Sequence, residues 1–322
     1  MARRGTELAD ATLRGDRRAL ARLLTAVEDR SPVAESAMRR LYRKAGRAQL
    51  VGITGPPGSG KSTLVSALIG QLRGAGRSVA VVAVDPSSPI TGGALLGDRV
   101  RMQSYAGDRD VFIRSMAARG HAGGLASTTG AAVAVLDAAG FDHVFIETVG
   151  TGQSEVEVAA AADTTVVLEA PEMGDEVQAI KAGLLEVADI VVVNKGDRPG
   201  ALRTASQLRA MLSAAAPAAI DDRPRPKRPE VLVTTATTGE GVPELVAALE
   251  RRRDAGAAGS AGPARLARAE AQVWAIATER LRARLHDRDH RDATEATLRQ
   301  VADHEIDPYA GADRLLGEAT ET

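Results

Sequence analysis

Eight consecutive residues, Gly55-Pro56-Pro57-Gly58-Ser59-Gly60-Lys61-Ser62, carry the most specific chemical signal in the chain, the spacing G-x-x-x-x-G-K-[ST]. An apolar run, Leu50 to Thr54, precedes them and an amphipathic helix pattern follows at once. Strand, glycine loop and helix in that order form the context of a phosphate-binding loop. Glycines let the backbone curl so that its N–H groups point at an anion, and the helix N-terminus beyond adds a favourable dipole. In such a loop Lys61 reaches the β- and γ-phosphates and the Ser62 hydroxyl sits on Mg²⁺.

Three acids stand at or just beyond the ends of apolar runs. Asp85 opens the polar, glycine-rich DPSSPITGGALLGDRVRM, which also holds Asp98, and Glu147 opens ETVGTGQSE. Carboxylates beside a phosphate loop are where Mg²⁺ and its water shell are held, because this hard cation takes oxygen ligands and keeps several waters. Spacing leaves open which of the three touches the ion. Gly150 and Gly152 would let backbone N–H groups approach a γ-phosphate and let the loop rearrange when that phosphate leaves.

A base-reading pattern, N-K-x-D, appears as Asn194-Lys195-Gly196-Asp197 at the end of a valine-rich run. The Asp197 carboxylate can accept from guanine N1–H and the exocyclic amine. Adenine offers no such donor pair, so discrimination of about 10⁴ is within reach of this chemistry. Thr235-Ala236-Thr237 follows the next strand and would supply a backbone N–H to guanine O6.

Positioning these groups is the task of an α/β fold. Strand candidates are Leu50–Thr54, Ser78–Val84, Val111–Arg114, His143–Glu147, Thr165–Leu168, Ile190–Asn194 and Val231–Thr235. Several are unbroken Val/Ile/Leu runs, as expected for parallel strands covered on both faces. The expected architecture is a P-loop NTPase with a mostly parallel sheet, its ligands beyond the carboxyl ends of the strands. Residues 1–48 read as a helical extension: Leu20, Leu23, Leu24 and Val27 share one face, and Ser31-Pro32 is the start signal of a further helix. Arg39, Arg40, Arg43, Lys44 and Arg47 read as a solvated basic face at that helix's end. Residues 49–253 form the nucleotide domain and 254–263 a small-residue linker. In 264–322 helices return, with Val273, Ile276, Ala277, Leu281 and Leu285 along one face.

Composition narrows the function classes. The chain of 322 residues has no cysteine, which excludes disulfides and thiolate metal sites. A net charge of −1 gives no electrostatic case for nucleic acid or anionic membrane. No apolar run approaches the ~20 residues that span a bilayer, and the N-terminal stretch MARRGTELADATLRGD lacks a signal-peptide core, so a cytoplasmic protein is expected. His121, in Arg119-Gly120-His121-Ala122-Gly123-Gly124, reads as a turn or partner-facing residue, since no H-x-x-H or cysteine pair accompanies it. The cobalamin-binding pattern D-x-H-x-x-G is absent, so the chain is not expected to hold that cofactor by this route.

Together, DPSSPITGGALLGDRVRM, RSMAARGHAGGLA, ETVGTGQSE and NKGD closely resemble the MeaB/ArgK group of GTPases, the G-protein chaperones of adenosylcobalamin-dependent acyl-CoA mutases. The likeness also takes in LRGDRRALARLLTAVE and the region around Trp274. It implies that Gly55 to Thr63, Thr63 included, bind phosphates with Ser62 on Mg²⁺. It further implies that Asp85, Asp98 and Glu147 form the magnesium and hydrolysis cluster, and that Asp197 with Thr235–Thr237 reads guanine. A third switch corresponds to Pro171–Gly183, with Gln178 and Lys181 coupling partner binding to hydrolysis. Here the chain reads PEMGDE where the family usually has glycine after the proline, so Glu172 stiffens that loop; Ile90 and Thr151 are milder departures. The resemblance implies GTP and GDP as ligands, Mg²⁺ as cofactor, a homodimer built from the C-terminal helices, a mutase partner and a cobalamin adenosyltransferase as a further one.

Three rival readings stay open at this level. A P-loop ATPase or kinase would share the loop but not N-K-x-D. A nickel-insertion GTPase would usually carry Cys/His ligands. A nucleotide-binding scaffold would bind without turnover.

Overall fold

Seven strands, all parallel, form one sheet in the computed structural model: β1 (Gln49–Thr54), β2 (Val79–Pro86), β3 (Val111–Ala118), β4 (His143–Thr148), β5 (Thr164–Glu169), β6 (Ile190–Val193) and β7 (Glu230–Val233). Their spatial order is β3-β2-β4-β1-β5-β6-β7. The structure describes residues 2–86, 103–105, 107–118, 124–148, 161–171, 185, 187–214, 229–256, 262–287 and 290–320. All seven expected strands are present. β3 runs four residues past Arg114, because backbone pairing with β2 continues through Asp85↔Ala117 and Pro86↔Ala118 whatever the side chains.

Alternation along each strand splits the core into two faces. Ala80, Val82, Val84, Val144 and Ile146 pack under α2 (Arg17–Glu28), α3 (Pro32–Leu41) and α5 (Gly124–Ala138). Val51, Ile53, Val79, Val81 and Phe145 pack under α4 (Lys61–Gly74) and α7 (Val242–Ala255). A third cluster joins Val167, Val191, Val193 and Val231 to α6 (Ala201–Ala214). Burial on both faces is why β4, β5 and β6 carry no polar/apolar alternation.

The N-terminal extension comprises α1 (Ala2–Leu13), α2 and α3. Leu20, Leu23, Leu24 and Val27 are all buried, as their spacing predicts. Asp16 caps α2, accepting from the N–H groups of Arg18 (2.8 Å) and Ala19 (3.1 Å). Ser31 stands at the N-cap of α3 with Pro32 behind it, but its hydroxyl donates back to the Ala26 carbonyl (3.2 Å) instead of capping the helix. The basic cluster is exposed, and Arg40 pairs with Asp10. Two arginines tie α2 to β3: Arg17 donates to the Val111 carbonyl (2.7 Å), and Arg114 to Glu28 (2.7 Å). The buried Asp137 on α5 accepts from the N–H groups of Gly46, Arg47 (3.0 Å) and Ala48 (2.9 Å), fixing the chain where it enters β1.

The chain divides into two compact units, Met1–Arg268 and Ala269–Thr322. Of the expected linker, Asp254 and Ala255 lie in α7, and Gly262 and Pro263 open α8 (Gly262–Leu285). In the second unit α9 (Arg291–Ala302) meets α10 (Pro308–Thr320), which Asp307 caps through Tyr309 and Ala310. Among the described residues, no helix is long and apolar enough to cross a membrane.

Candidate nucleotide site

Parallel strands place every strand end at one edge, and β1, at the sheet's centre, delivers the loop of residues 55–60 there. Gly55 (φ +140°) and Gly60 (φ +95°) are dictated by space as well as by conformation. A Cβ would lie 2.3 Å from the Leu168 carbonyl oxygen at the first and 2.4 Å from Asn194 Nδ2 at the second. Lys61 begins α4, and its buried ammonium donates to the carbonyls of Gly55 (2.7 Å) and Pro56 (3.2 Å), holding the charge against the loop.

One residue on, the Ser62 hydroxyl donates to Glu147 Oε1 at 2.6 Å. Both residues are buried, Glu147 almost wholly at 1% exposed. The first turn of α4 is thereby joined to the end of β4. A hydroxyl and a carboxylate held this close form an all-oxygen donor pair, the type a hard divalent cation prefers. The backbone of Asp85 lies at the same edge, one residue beyond the Val84↔Thr148 pairing of β2 with β4. Thr148 donates to Thr54 Oγ1 (3.3 Å), linking the ends of β4 and β1. Asp98 and Lys181, with Ile90, His121, Gly150, Thr151, Gly152, Glu172 and Gln178, lie outside the described residues.

The N-K-x-D segment, the candidate base reader, is joined directly to the loop. Asn194 Nδ2 donates to the Ser59 carbonyl (2.9 Å), while Oδ1 accepts from the Thr234 hydroxyl (3.2 Å) and the Ala236 N–H (3.1 Å). Lys195, in the left-handed region at φ +58°, donates from Nζ to the Gly58 carbonyl (2.6 Å). Gly196 N–H donates to the Thr234 carbonyl (2.9 Å), and Thr235 N–H to the Glu240 carbonyl (2.9 Å). Asp197 and Thr237 are exposed, and Thr237 N–H makes no hydrogen bond among the described residues. Pro57 and Gly58, at the turn of the loop, are exposed as well.

A model of the family described as methylmalonyl-CoA mutase-associated GTPase MeaB matches residues 20–290. The chain belongs to the MeaB family of GTPases. A protein of Pyrococcus abyssi named as a GTPase is 45% identical over 315 residues, covering 97% of this chain and 96% of its own. The mouse protein named methylmalonic aciduria type A homolog, mitochondrial, is 33% identical over 322 residues, 94% of this chain and 77% of its own. A crystal structure titled LAO/AO transport system kinase superposes with a TM-score of 0.68 at 28% identity, covering 99% and 98% of the two chains.

In this MeaB-family GTPase, motif spacing picked out the loop and the N-K-x-D segment as candidates but gave no sign of the bonds between them. Thr234 and the Ser59 carbonyl carry no motif signal, and they meet Asn194 only through the fold. Glu169, buried at the end of β5, was legible by the strand-end rule that picked out Glu147, since it directly follows the run Thr165–Leu168.

Proposed function

We propose that this GTPase serves as a G-protein chaperone for an adenosylcobalamin-dependent acyl-CoA mutase, of the methylmalonyl-CoA mutase type or a relative. GTP binding and hydrolysis would gate loading and protection of the cofactor. The observation that carries the nucleotide half is the single hydrogen-bonded assembly of phosphate loop, base segment and Ser62–Glu147 pair. The mutase half draws its support from the family description and the mouse relative's name.

Asn194 and Lys195 fix the base segment to the loop that receives the phosphates, so base and phosphate recognition share one rigid frame. Asp197 accepts from guanine, and the N–H of Thr237, in the segment Thr235–Thr237, is free among the described residues to meet O6. Gly55, Pro56, Pro57, Gly58, Ser59, Gly60 and Thr63 complete the phosphate cradle. Lys61 already holds a buried positive charge at the loop and neutralises charge that develops on the γ-phosphate.

Mg²⁺ fits the donor set: Ser62 and Glu147 supply buried oxygens 2.6 Å apart, and Asp85 and Asp98 are the further acids assigned to it. Bound there, the ion would neutralise negative charge on the phosphates. Asp98 and Lys181 are assigned hydrolytic roles together with Lys61 and Glu147. Loops ordered by the γ-phosphate relax after hydrolysis and change the contacts offered to the mutase. Residues 49–253 do this work, 1–48 brace them, 254–263 connect, and 264–322 pair two copies into a homodimer. A cobalamin adenosyltransferase would be the source of cofactor.

Two measurements test this reading. GTP turnover, followed by phosphate release, is expected to rise when purified mutase is added, and the two proteins to co-elute in a nucleotide-dependent way. No change with methylmalonyl-, isobutyryl-, ethylmalonyl- or hydroxyisobutyryl-CoA mutase overturns the chaperone role and leaves the GTPase intact. For the base site, Asp197→Asn is expected to weaken GTP by about a hundredfold and to admit xanthosine triphosphate. Unchanged GTP affinity in that variant removes the assignment.

A further inference from the structure

Residues that precede parallel strands gather at the sheet edge opposite the nucleotide. There Ser78, Arg109 and Asp110, which lead into β2 and β3, face the turn of Ala139–Phe141 before β4. With the α1–α2 turn they enclose a cleft of about 280 Å³.

Four charged side chains line it, Asp16, Arg17, Arg109 and Asp110. Asp110 is paired with Arg73 at 2.8 Å. Asp16 accepts from the Ala19 and Arg18 N–H groups, which hold its carboxyl below the usual range. Arg73 also pairs with Asp108, at 2.8 Å, so Asp110 shares its partner, while Asp16 is held by backbone donors. Arg17 donates to the carbonyls of Asp108, Arg109 and Val111 and lies over the Phe112 ring, 5.5 Å from its centroid. These hydrogen-bond partners carry no formal charge. Arg109 is exposed and bonds to no described side chain through its guanidinium. Neither guanidinium makes an ion pair among the described residues, although the Arg17 charge acts on the nearby Asp108 carboxylate.

A second, independent feature points the same way. Thr12, 1% exposed, lines the cleft, and its hydroxyl has no hydrogen-bond partner among the described residues. A buried hydroxyl left unpaired is costly, and one at a cleft wall is relieved by a ligand acceptor. Leu20, Ala139 and Phe141 supply an apolar part of the wall.

We propose that this cleft is a second ligand site, separate from the nucleotide site, for a small organic anion: a carboxylate or phosphate head on a short apolar body. Arg17 and Arg109 meet the head, the Thr12 hydroxyl donates to it, and the body lies on Phe141 and Leu20. Charge-assisted bonds from guanidinium to such a head are among the stronger polar contacts a protein makes.

The test uses the full chain saturated with Mg²⁺ and GDP, so that the phosphate loop is filled, titrated calorimetrically with butyrate and with n-butyl phosphate. Saturable binding of at least one is expected, and which one binds identifies the head group. Arg109→Ser should weaken it by about tenfold while the melting temperature and GDP affinity stay put. Thr12→Val should weaken it while raising thermal stability, since the unpaired hydroxyl is gone. Raising GDP about tenfold above saturation should leave it unchanged. Failure of both anions to bind below about 10 mM overturns the proposal, as does undiminished binding to Arg109→Ser or displacement of the anion by further GDP.

Discussion

Asn194 joins three stretches of chain with one amide, and its loss should be felt in both folding and binding. It follows β6, yet its partners are Ser59 in the phosphate loop and Thr234 and Ala236 after β7. Asn194→Ala leaves a buried carbonyl, hydroxyl and N–H unpaired, so urea unfolding should show a loss of about 2–4 kcal/mol. GTP affinity should fall with it, because base segment and loop are no longer held in one frame. Asn194→Asp should do worse, since a carboxylate oxygen would then oppose the Ser59 carbonyl. A variant as stable and as tight-binding as the parent would remove this role. His143 makes a different kind of prediction. Burial at the start of β4 pushes its imidazole down to about 4, against an ordinary 6.5, with Asp142 opposing the shift and Arg253 and Arg77 adding to it. The unfolded chain therefore binds the extra proton between these values and the folded chain does not. The stability this contributes is complete above pH 6.5 and is lost as pH falls toward 4, by at most about 3 kcal/mol. His143→Leu should flatten that limb of the stability-against-pH curve; an unaltered acid limb would show that other groups set it.

At the scale of elements, helix and strand identity followed from pattern wherever one physical cause dominated. The seven apolar runs became seven strands because Val and Ile runs covered on both faces have few other stable arrangements. Leu20 to Val27 became a buried helix face because its spacing matches one side of a helical turn. The phosphate loop was legible because its glycines answer local constraints, a left-handed φ at Gly60 and a close approach at Gly55. What escaped the sequence were contacts made across distance in the chain: Ser62 with Glu147, Asn194 with Ser59, Lys195 with Gly58. No local propensity encodes such pairs; sheet order creates them. Ser31 shows the same limit at a helix end, where position was right but the hydroxyl found Ala26. Asp137 was missed for this reason too, and it carries the prediction at this scale. Its carboxylate receives three successive N–H groups, from Gly46, Arg47 and Ala48, just before β1. Asp137→Ala leaves those donors without it and should cost about 2–4 kcal/mol in chemical denaturation. Asp137→Asn, which keeps one acceptor oxygen, should lose less. Equal stability in all three proteins would mean that the entry to β1 is held by packing alone.

For the molecule as a whole, the feature that calls for a partner is the apolar face of α8. Val273 (64% exposed), Trp274 (65%) and Ile276 (44%) present large apolar side chains on a helix of 24 residues. Scattered exposed apolar residues are ordinary, but several within one turn suit an interface. The family resemblance supports a second copy as the occupant, and the prediction is that the protein elutes with twice the mass of one chain by light scattering. Val273 and Ile276 lie three apart on one face, so Val273→Glu with Ile276→Glu should place two carboxylates in that contact and give single chains. Trp274 is the only tryptophan, so its fluorescence reports on this helix without interference. Its emission should move to the red when the parent protein is diluted through its dissociation range, and should start red in the double variant. GTP turnover per chain, measured without mutase, should be the same in both, because every described residue of the proposed nucleotide site belongs to Met1–Arg268. A parent protein that elutes as one chain at all concentrations would leave this face for another partner, and the mutase would then be the first to try.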